Sequence, residues 1–197
     1  MHTGIEIFGY GILGYLCGSL SFALWVTRLL KGVDVRKSGS GHATATNTMR
    51  TAGWGAFVVV LMLDLSKGFF PVWLALNNSG EGWIIAVAAT CVVVGHCWPL
   101  FAGFKGGMGL AAAGGALLAI FPPAFFVGLG VLIVLMLLLQ HSARAAVITG
   151  PILPIIFGAF GWCGDLILAA AGVGVVIALR FLSDWNRQYK ELWLDRQ

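Results

Sequence analysis

The stretch LAAAGGALLAIFPPAFFVGLGVLIVLMLLL, residues 110–139, runs for 30 residues without a charge, an amide or a hydroxyl. About 20 mostly apolar residues suffice to cross the hydrocarbon core of a bilayer. Pro122-Pro123 falls inside the run. A proline pair removes backbone donors and clashes with the preceding turn, so the stretch reads as two spans, Leu110–Phe121 and Ala124–Gln140. The first is short at 12 residues and is expected to lie partly buried in protein. Reading outward gives Ile5–Leu30, Thr51–Leu76 and Trp83–Phe101 upstream, then Ala145–Phe160 and Leu166–Leu182 downstream. The expected fold is all-α: a polytopic membrane protein of seven transmembrane helices forming a single domain over residues 1–197.

Composition agrees. Hydrophobic residues make up 59% of the chain and charged residues 10%, with a mean hydropathy of +0.91. A soluble domain carries about 25% charged residues. A soluble enzyme, a disulfide-stapled secreted module and a disordered chain are thereby excluded. The net charge of +4 comes from only 12 basic residues, so their placement matters more than their number, and no nucleic-acid partner is implied. With the N-terminus outside, the inner segments and their flanks hold Arg28, Lys31, Arg36, Lys37, Arg50, Lys105, Arg144, Arg180, Arg187, Lys190 and Arg196, all basic residues but Lys67. Glu6, Glu81 and Asp165 fall outside. Basic residues gather in cytoplasmic loops, so an odd number of spans with a cytoplasmic C-terminus fits best. The first apolar run opens with Glu6 and has no basic residue before Arg28, which reads as a retained helix and not a cleaved leader. Cys17, Cys91, Cys97 and Cys163 form no C-x-x-C pair and read as packing residues.

Three inner features are more polar than solvation requires. Residues 35–50 combine Arg36, Lys37 and Arg50 with hydroxyls and with Gly39 and Gly41. Glycines let successive backbone N–H groups converge on an anion, and arginine adds bidentate contacts to phosphate oxygens; an ordinary basic loop touching lipid headgroups is the plainer alternative. Residues 103–109 place Lys105 beside Gly106, Gly107 and Gly109, immediately before a helix. This is either a phosphate cradle or a glycine turn between helices, and it lacks Walker A spacing. Asp64 and Lys67 sit three apart on one face of a span and can pair, either to orient the helix or to serve a site. His96 is a base, a ligand or a packed histidine. No second His, Cys or carboxylate stands at metal spacing from it, and no metal or other cofactor is expected.

Taken together these segments resemble the acyl-phosphate-dependent glycerol-3-phosphate acyltransferases, the PlsY family of bacterial inner-membrane enzymes. Gly18-Ser19 matches the first half of a Gly-Ser-x-Pro element. Arg36, Gly39-Ser40-Gly41, Ala45-Thr46-Asn47 and Arg50 match an Arg followed by Gly-Ser-Gly-Asn-x-Gly-Ala-Thr-Asn-x-x-Arg. Asp64, Lys67 and Gly68 match Asp-x-x-Lys-Gly; Gly95, His96 and Pro99 match Gly-His-x-x-Pro; Phe104, Lys105, Gly106, Gly107 and Gly109 match Phe-Lys-Gly-Gly-Lys-Gly. The resemblance implies transfer of a fatty acyl group from acyl-phosphate to the 1-hydroxyl of glycerol-3-phosphate, giving lysophosphatidic acid, in the inner membrane and without a cofactor. It implies that Ser19, Arg36, Asn47, His96 and Lys105 serve catalysis. Ser40, Gly41, Thr46, Arg50, Asp64, Lys67, Gly106, Gly107, Gly109 and Asn186 would serve substrate binding. Glycerol-3-phosphate, acyl-phosphate and the lipid bilayer are the implied partners.

The chain departs from these motifs at definite places. His42 and Thr44 replace an Asn and a Gly, Ser142 stands one residue out of register, and Ser183-Asp184-Trp185-Asn186 keeps only the Asn of His-Arg-x-Asn. Met108 replaces the second Lys of the glycine loop. One lost charge-assisted phosphate contact is worth about 1.5–3 kcal/mol, or roughly 10- to 150-fold in affinity. Arg144 is a candidate to supply the missing charge. The alternatives to the enzyme are a catalytically silent paralogue that binds lipid phosphates or regulates a true acyltransferase, and a small transporter built on the Asp64/Lys67 pair.

Overall fold

A computed structural model describes residues 2–79, 81–162 and 164–187, and every regular element among them is helical. The order is α1 (His2–Gly18), α2 (Phe22–Lys31), α3 (Ala45–Ala52), α4 (Trp54–Asn78), α5 (Gly82–Cys97), α6 (Leu110–Ile120), α7 (Pro122–Leu139), α8 (Ser142–Ala159) and α9 (Asp165–Leu182). Six segments are long and apolar enough to cross a membrane, with residues 4–31 counted as one, and α6 adds a shorter apolar helix of 11 residues. Large apolar side chains point outward along them: Phe126 is 66% and Ile155 70% exposed. Continuous apolar faces of this kind belong in lipid, so the chain is an integral membrane protein.

In a bilayer, helices gain little from hydrophobicity against one another, and close backbone packing at small residues takes its place. Three crossings show this. Between α1 and α5, a Cβ on Gly18 would strike the Val92 carbonyl and one on Gly95 the Tyr15 carbonyl. Between α4 and α6, Gly68 faces the Ala112 carbonyl and Gly115 that of Leu65. Between α8 and α9, Gly150 and Gly174 each meet the other's carbonyl. The central core joins Val72, Val92, Val93, Ala112, Val173 and Ile177 from α4, α5, α6 and α9.

The structure corrects three expectations. The first apolar run is not one helix: it breaks at residues 19–21, between α1 and α2. The break is possible because its polar groups find partners from elsewhere. The Ser19 hydroxyl donates to the Tyr15 carbonyl at 2.8 Å and accepts from the Leu100 N–H at 3.2 Å, while Lys67 Nζ donates to the Leu20 carbonyl at 2.7 Å. Second, the polar loop contains a short helix, α3, capped by Thr44, whose hydroxyl accepts from the Asn47 N–H at 3.2 Å. Third, the proline pair begins α7 instead of merely ending its predecessor; the first turn of a helix tolerates proline because its N–H groups have no intrahelical partner.

The short α6 has a specific cause. Before it, the glycine-rich segment folds back into the bundle, so that a Cβ on Gly109 would lie within 2.7–3.0 Å of Ile177, Val93 and Cys97 side chains. α6 therefore starts inside the bundle, and its far end, Phe121, shares a cleft with Trp162 and Asp165. Arg36, Lys37, Lys105 and Arg180 converge at the opposite end. Cys163, Lys190 and Arg196 lie outside the described residues.

Substituting Gly95 by Leu forces a side chain into the Tyr15 backbone and is expected to cost about 3 kcal/mol or more. Gly130, with open space around it, should accept Ala with a gain of about 0.4–1 kcal/mol. Thermal unfolding in detergent, followed by tryptophan fluorescence, measures both.

Candidate active site

The basic end is organised from the Asn47 amide. Asn47 is fully buried. Its Nδ2 donates to the carbonyls of Val35 at 2.8 Å, Ser38 at 3.0 Å and His42 at 3.0 Å, and its Oδ1 accepts from the Ser40 N–H at 3.2 Å. One side chain thus fixes the path of residues 35–42. Gly39, at φ +52°, must be glycine, because a Cβ there would strike Asn47 Oδ1.

Arg36 links this loop to the next. Its Nε and Nη2 hold Asp34 in a two-pronged ion pair at 3.0 and 2.8 Å, and its Nη1 donates to the carbonyls of Ala102 at 2.8 Å and Lys105 at 3.2 Å. The hydrogen-bonded guanidinium holds the Asp34 carboxyl well below the usual carboxylate range, and the same partner raises Arg36. Both stay charged across the working pH range.

The glycine segment lies against the end of α5. The N–H of Gly106 donates to the Cys97 carbonyl at 3.2 Å, that of Gly107 to the His96 carbonyl at 3.1 Å, and the Ala43 N–H to the Gly106 carbonyl at 3.3 Å. A Cβ on Gly107 would meet His96 Nε2, and one on Gly106 the His96 carbonyl. Beneath this sheet-like contact is a buried charged group: Lys67 Nζ stands 2.7 Å and His96 Nδ1 3.7 Å from Asp64 Oδ1.

The end of α9 closes the site. Arg180 Nε donates to the Gly107 carbonyl at 2.9 Å, and its Nη2 lies 3.2 Å from His42 Nδ1. His42 Nε2 is 2.8 Å from the buried Asp184 carboxylate. Burial pushes His42 below the ordinary histidine range, and the arginines at 180 and 187 add to that against the pull of Asp184. A cavity of about 430 Å³ opens between these parts, lined by Asp34, Arg36, Lys37, Gly41, His42, Phe104, Lys105, Gly106 and Arg180. Phe104, at φ +60°, holds a backbone conformation that non-glycine residues rarely adopt.

Residues 8–191 match the family model described as glycerol-3-phosphate acyltransferase. The chain belongs to that family. It is 44% identical over 142 residues to the glycerol-3-phosphate acyltransferase of Pseudomonas syringae pv. tomato, covering 70% of this chain and 72% of that protein. It is 35% identical over 189 residues to that of Shigella flexneri, covering 94% and 91%. The crystal structure of PlsY (YgiH), an integral membrane glycerol 3-phosphate acyltransferase in its glycerol 3-phosphate form, superposes with a TM-score of 0.82 at 31% identity, over 92% of this chain and 90% of that one.

Within this acyltransferase fold the expected site residues separate into two groups. Arg36, Gly41, Lys105 and Gly106 line the cavity. Ser19, Asn47, His96, Asp64 and Lys67 are buried, with their polar atoms turned to neighbouring backbone and to one another. None of the five is among the residues that line the cavity; Ser19, Asn47 and Lys67 bond to loop backbone, while Asp64 and His96 pack beside Lys67. Ser40 is buried beside Asn47, Arg50 is half-buried on α3, and Thr46 and Asn186 are exposed. The expected phosphate cradle at Gly106 and Gly107 is corrected, because both N–H groups are consumed by α5 carbonyls and cannot bind an anion. Gly109 serves close packing instead. Arg144 is not at the glycine segment: its Nε donates to the Trp185 carbonyl at 3.3 Å and its guanidinium lies 5.6 Å from the Trp185 ring centre. Sequence reasoning passed over His42, Asp184 and Arg180. The only hint was that two of them interrupt recognisable motifs.

Changing Asn47 to Asp turns a donor into an oxygen facing three carbonyls. That variant should lose at least ten-fold activity and expose residues 35–42 to limited proteolysis. His42 supplies a pH signature. Its value in the folded chain lies below its unfolded value of about 6.5, so its contribution to stability is complete above that pH and declines as pH falls through the folded-state value. In melting-temperature profiles between pH 8 and 5, His42→Asn should flatten this decline.

Proposed function

We propose that this chain transfers a fatty acyl group from an acyl-phosphate to the 1-hydroxyl of glycerol-3-phosphate, at the inner face of a bacterial cytoplasmic membrane, with α6 as a seventh crossing. The hydroxyl oxygen attacks the acyl carbon and forms the ester C–O bond. The bond from the acyl carbon to the phosphate oxygen breaks, its electron pair leaves with the phosphate, and the proton lost by the hydroxyl balances the one taken up by the departing inorganic phosphate. An acyl-phosphate is already an activated mixed anhydride, so no covalent enzyme intermediate is needed. The protein's tasks are to bring two phosphate-bearing substrates into line and to balance their charge. Membership of a family of named enzymes favours turnover over a silent paralogue or a transporter.

The observation that carries this reading is the charge balance of the cavity. Asp34 is matched by Arg36, while the exposed side chains of Lys37 and Lys105 have no ion-pair partner among the described residues. A polar cavity with surplus positive charge at the end of an apolar bundle suits an anionic headgroup whose acyl chain runs between helices. Purified protein given palmitoyl phosphate and labelled glycerol-3-phosphate should form labelled 1-palmitoyl-lysophosphatidic acid. Lys105→Ala should raise KM for a phosphate substrate roughly 10- to 150-fold. Substrate binding without any product would overturn the proposal.

A further inference from the structure

We propose, resting on the acyl-transfer reading above, that Arg180 is a substrate-phosphate-binding residue, and that His42 and Asp184 are the positioning residues that aim it. The charge absent at position 108 is not restored there, since Met108 is packed in the apolar core at 8% exposure. Arg144 is engaged with Trp185. Arg180 brings a further cation to the glycine segment, bonded to the Gly107 carbonyl and lining the cavity.

The bonding pattern fixes how it points. A guanidinium only donates, so His42 Nδ1 accepts from Arg180 at 3.2 Å; at Nε2 the Asp184 carboxylate at 2.8 Å outweighs the Arg187 guanidinium at 3.5 Å, which places the proton of the neutral imidazole on Nε2, donated to Asp184. Nε and Nη2 of Arg180 are thereby spent on orientation. Nη1 has no hydrogen-bond partner among the described residues and is the nitrogen left over for a ligand in the cavity that Arg180 lines. His42 also stands between Arg180 and the Asp184 carboxylate, which lies 3.9 Å from Arg187 Nη1. The imidazole passes on the orientation of Asp184 without letting the carboxylate pair with Arg180 and cancel its charge. Two positions where the chain departs from its family's motifs, 142 residues apart in sequence, thus meet in one bond. Both substrates carry a phosphate, and either could be the group that Arg180 holds.

Steady-state kinetics on the full-length protein in detergent decide this. Arg180→Ala should raise KM about 10- to 150-fold for either glycerol-3-phosphate or palmitoyl phosphate, with a smaller fall in kcat; the affected substrate identifies the phosphate. Asp184→Ala should raise the same KM by a smaller factor. Asp184→Asn, which still accepts from His42, should restore it. Unchanged KM values for both substrates in folded Arg180→Ala would overturn the proposal. If that variant does not fold, Arg180→Lys decides: a several-fold rise in one KM supports the role and no rise removes it. Should the unmodified protein bind glycerol-3-phosphate without turnover, the acyl-transfer reading fails separately. Calorimetric titration with glycerol-3-phosphate then tests Arg180, with weakened binding in Arg180→Ala supporting the role and equal binding overturning it.

Discussion

Backbone polar groups cannot be left unsatisfied in hydrocarbon, where each costs several kcal/mol, and this fold departs from continuous helix at two places where the site needs it. At residues 19–21 the interruption is stabilised by Lys67 and by the Ser19 hydroxyl. At residues 103–109 it is stabilised by α5 carbonyls that accept from the glycine N–H groups. The two interruptions are joined: Ser19 accepts from Leu100, while Lys67, Asp64 and His96 form one buried group beneath Gly107. The charged residues inside the bundle therefore act first on the backbone. Their removal would disturb both interruptions together.

The cavity is built by a division of labour among cations. Arg36 is the most heavily bonded, with every nitrogen of its guanidinium committed to Asp34 or to carbonyls of the neighbouring loop. It ties two loops together and leaves Lys37, Lys105 and Arg180 to present charge.

The spans were legible because the apolar runs are long and the punctuation is strong. The proline pair at 122–123 and the polar segment at 35–50 fell where helices begin and end. The break at residues 19–21 was not legible, because Ser19-Leu20-Ser21 carries neither a charge nor a proline and the stabilising groups come from residues 67 and 100. The glycines were legible as necessary, but the sequence left a phosphate cradle and a turn between helices equally open. Gly106 and Gly107 are small so that the chain can lie against His96 and Ala43, and spacing alone cannot separate close approach from an exposed donor. Asn47 and Ser19 matched the motif while their action on backbone stayed hidden. The contact between His42 and Asp184 crosses most of the chain and has no local signature.

Arg180 and Asp184 follow every other part of the cavity in chain order, after α8 and nearly all of α9. A ribosome releases the loop around Asn47, the glycine segment and six apolar segments before it makes the residues that close the pocket. The nascent protein would thus enter the bilayer with its lysines in place but without their last partner. Insertion and activation become separate events in time, and a chain cut short before α9 would be a membrane protein with an unfinished pocket.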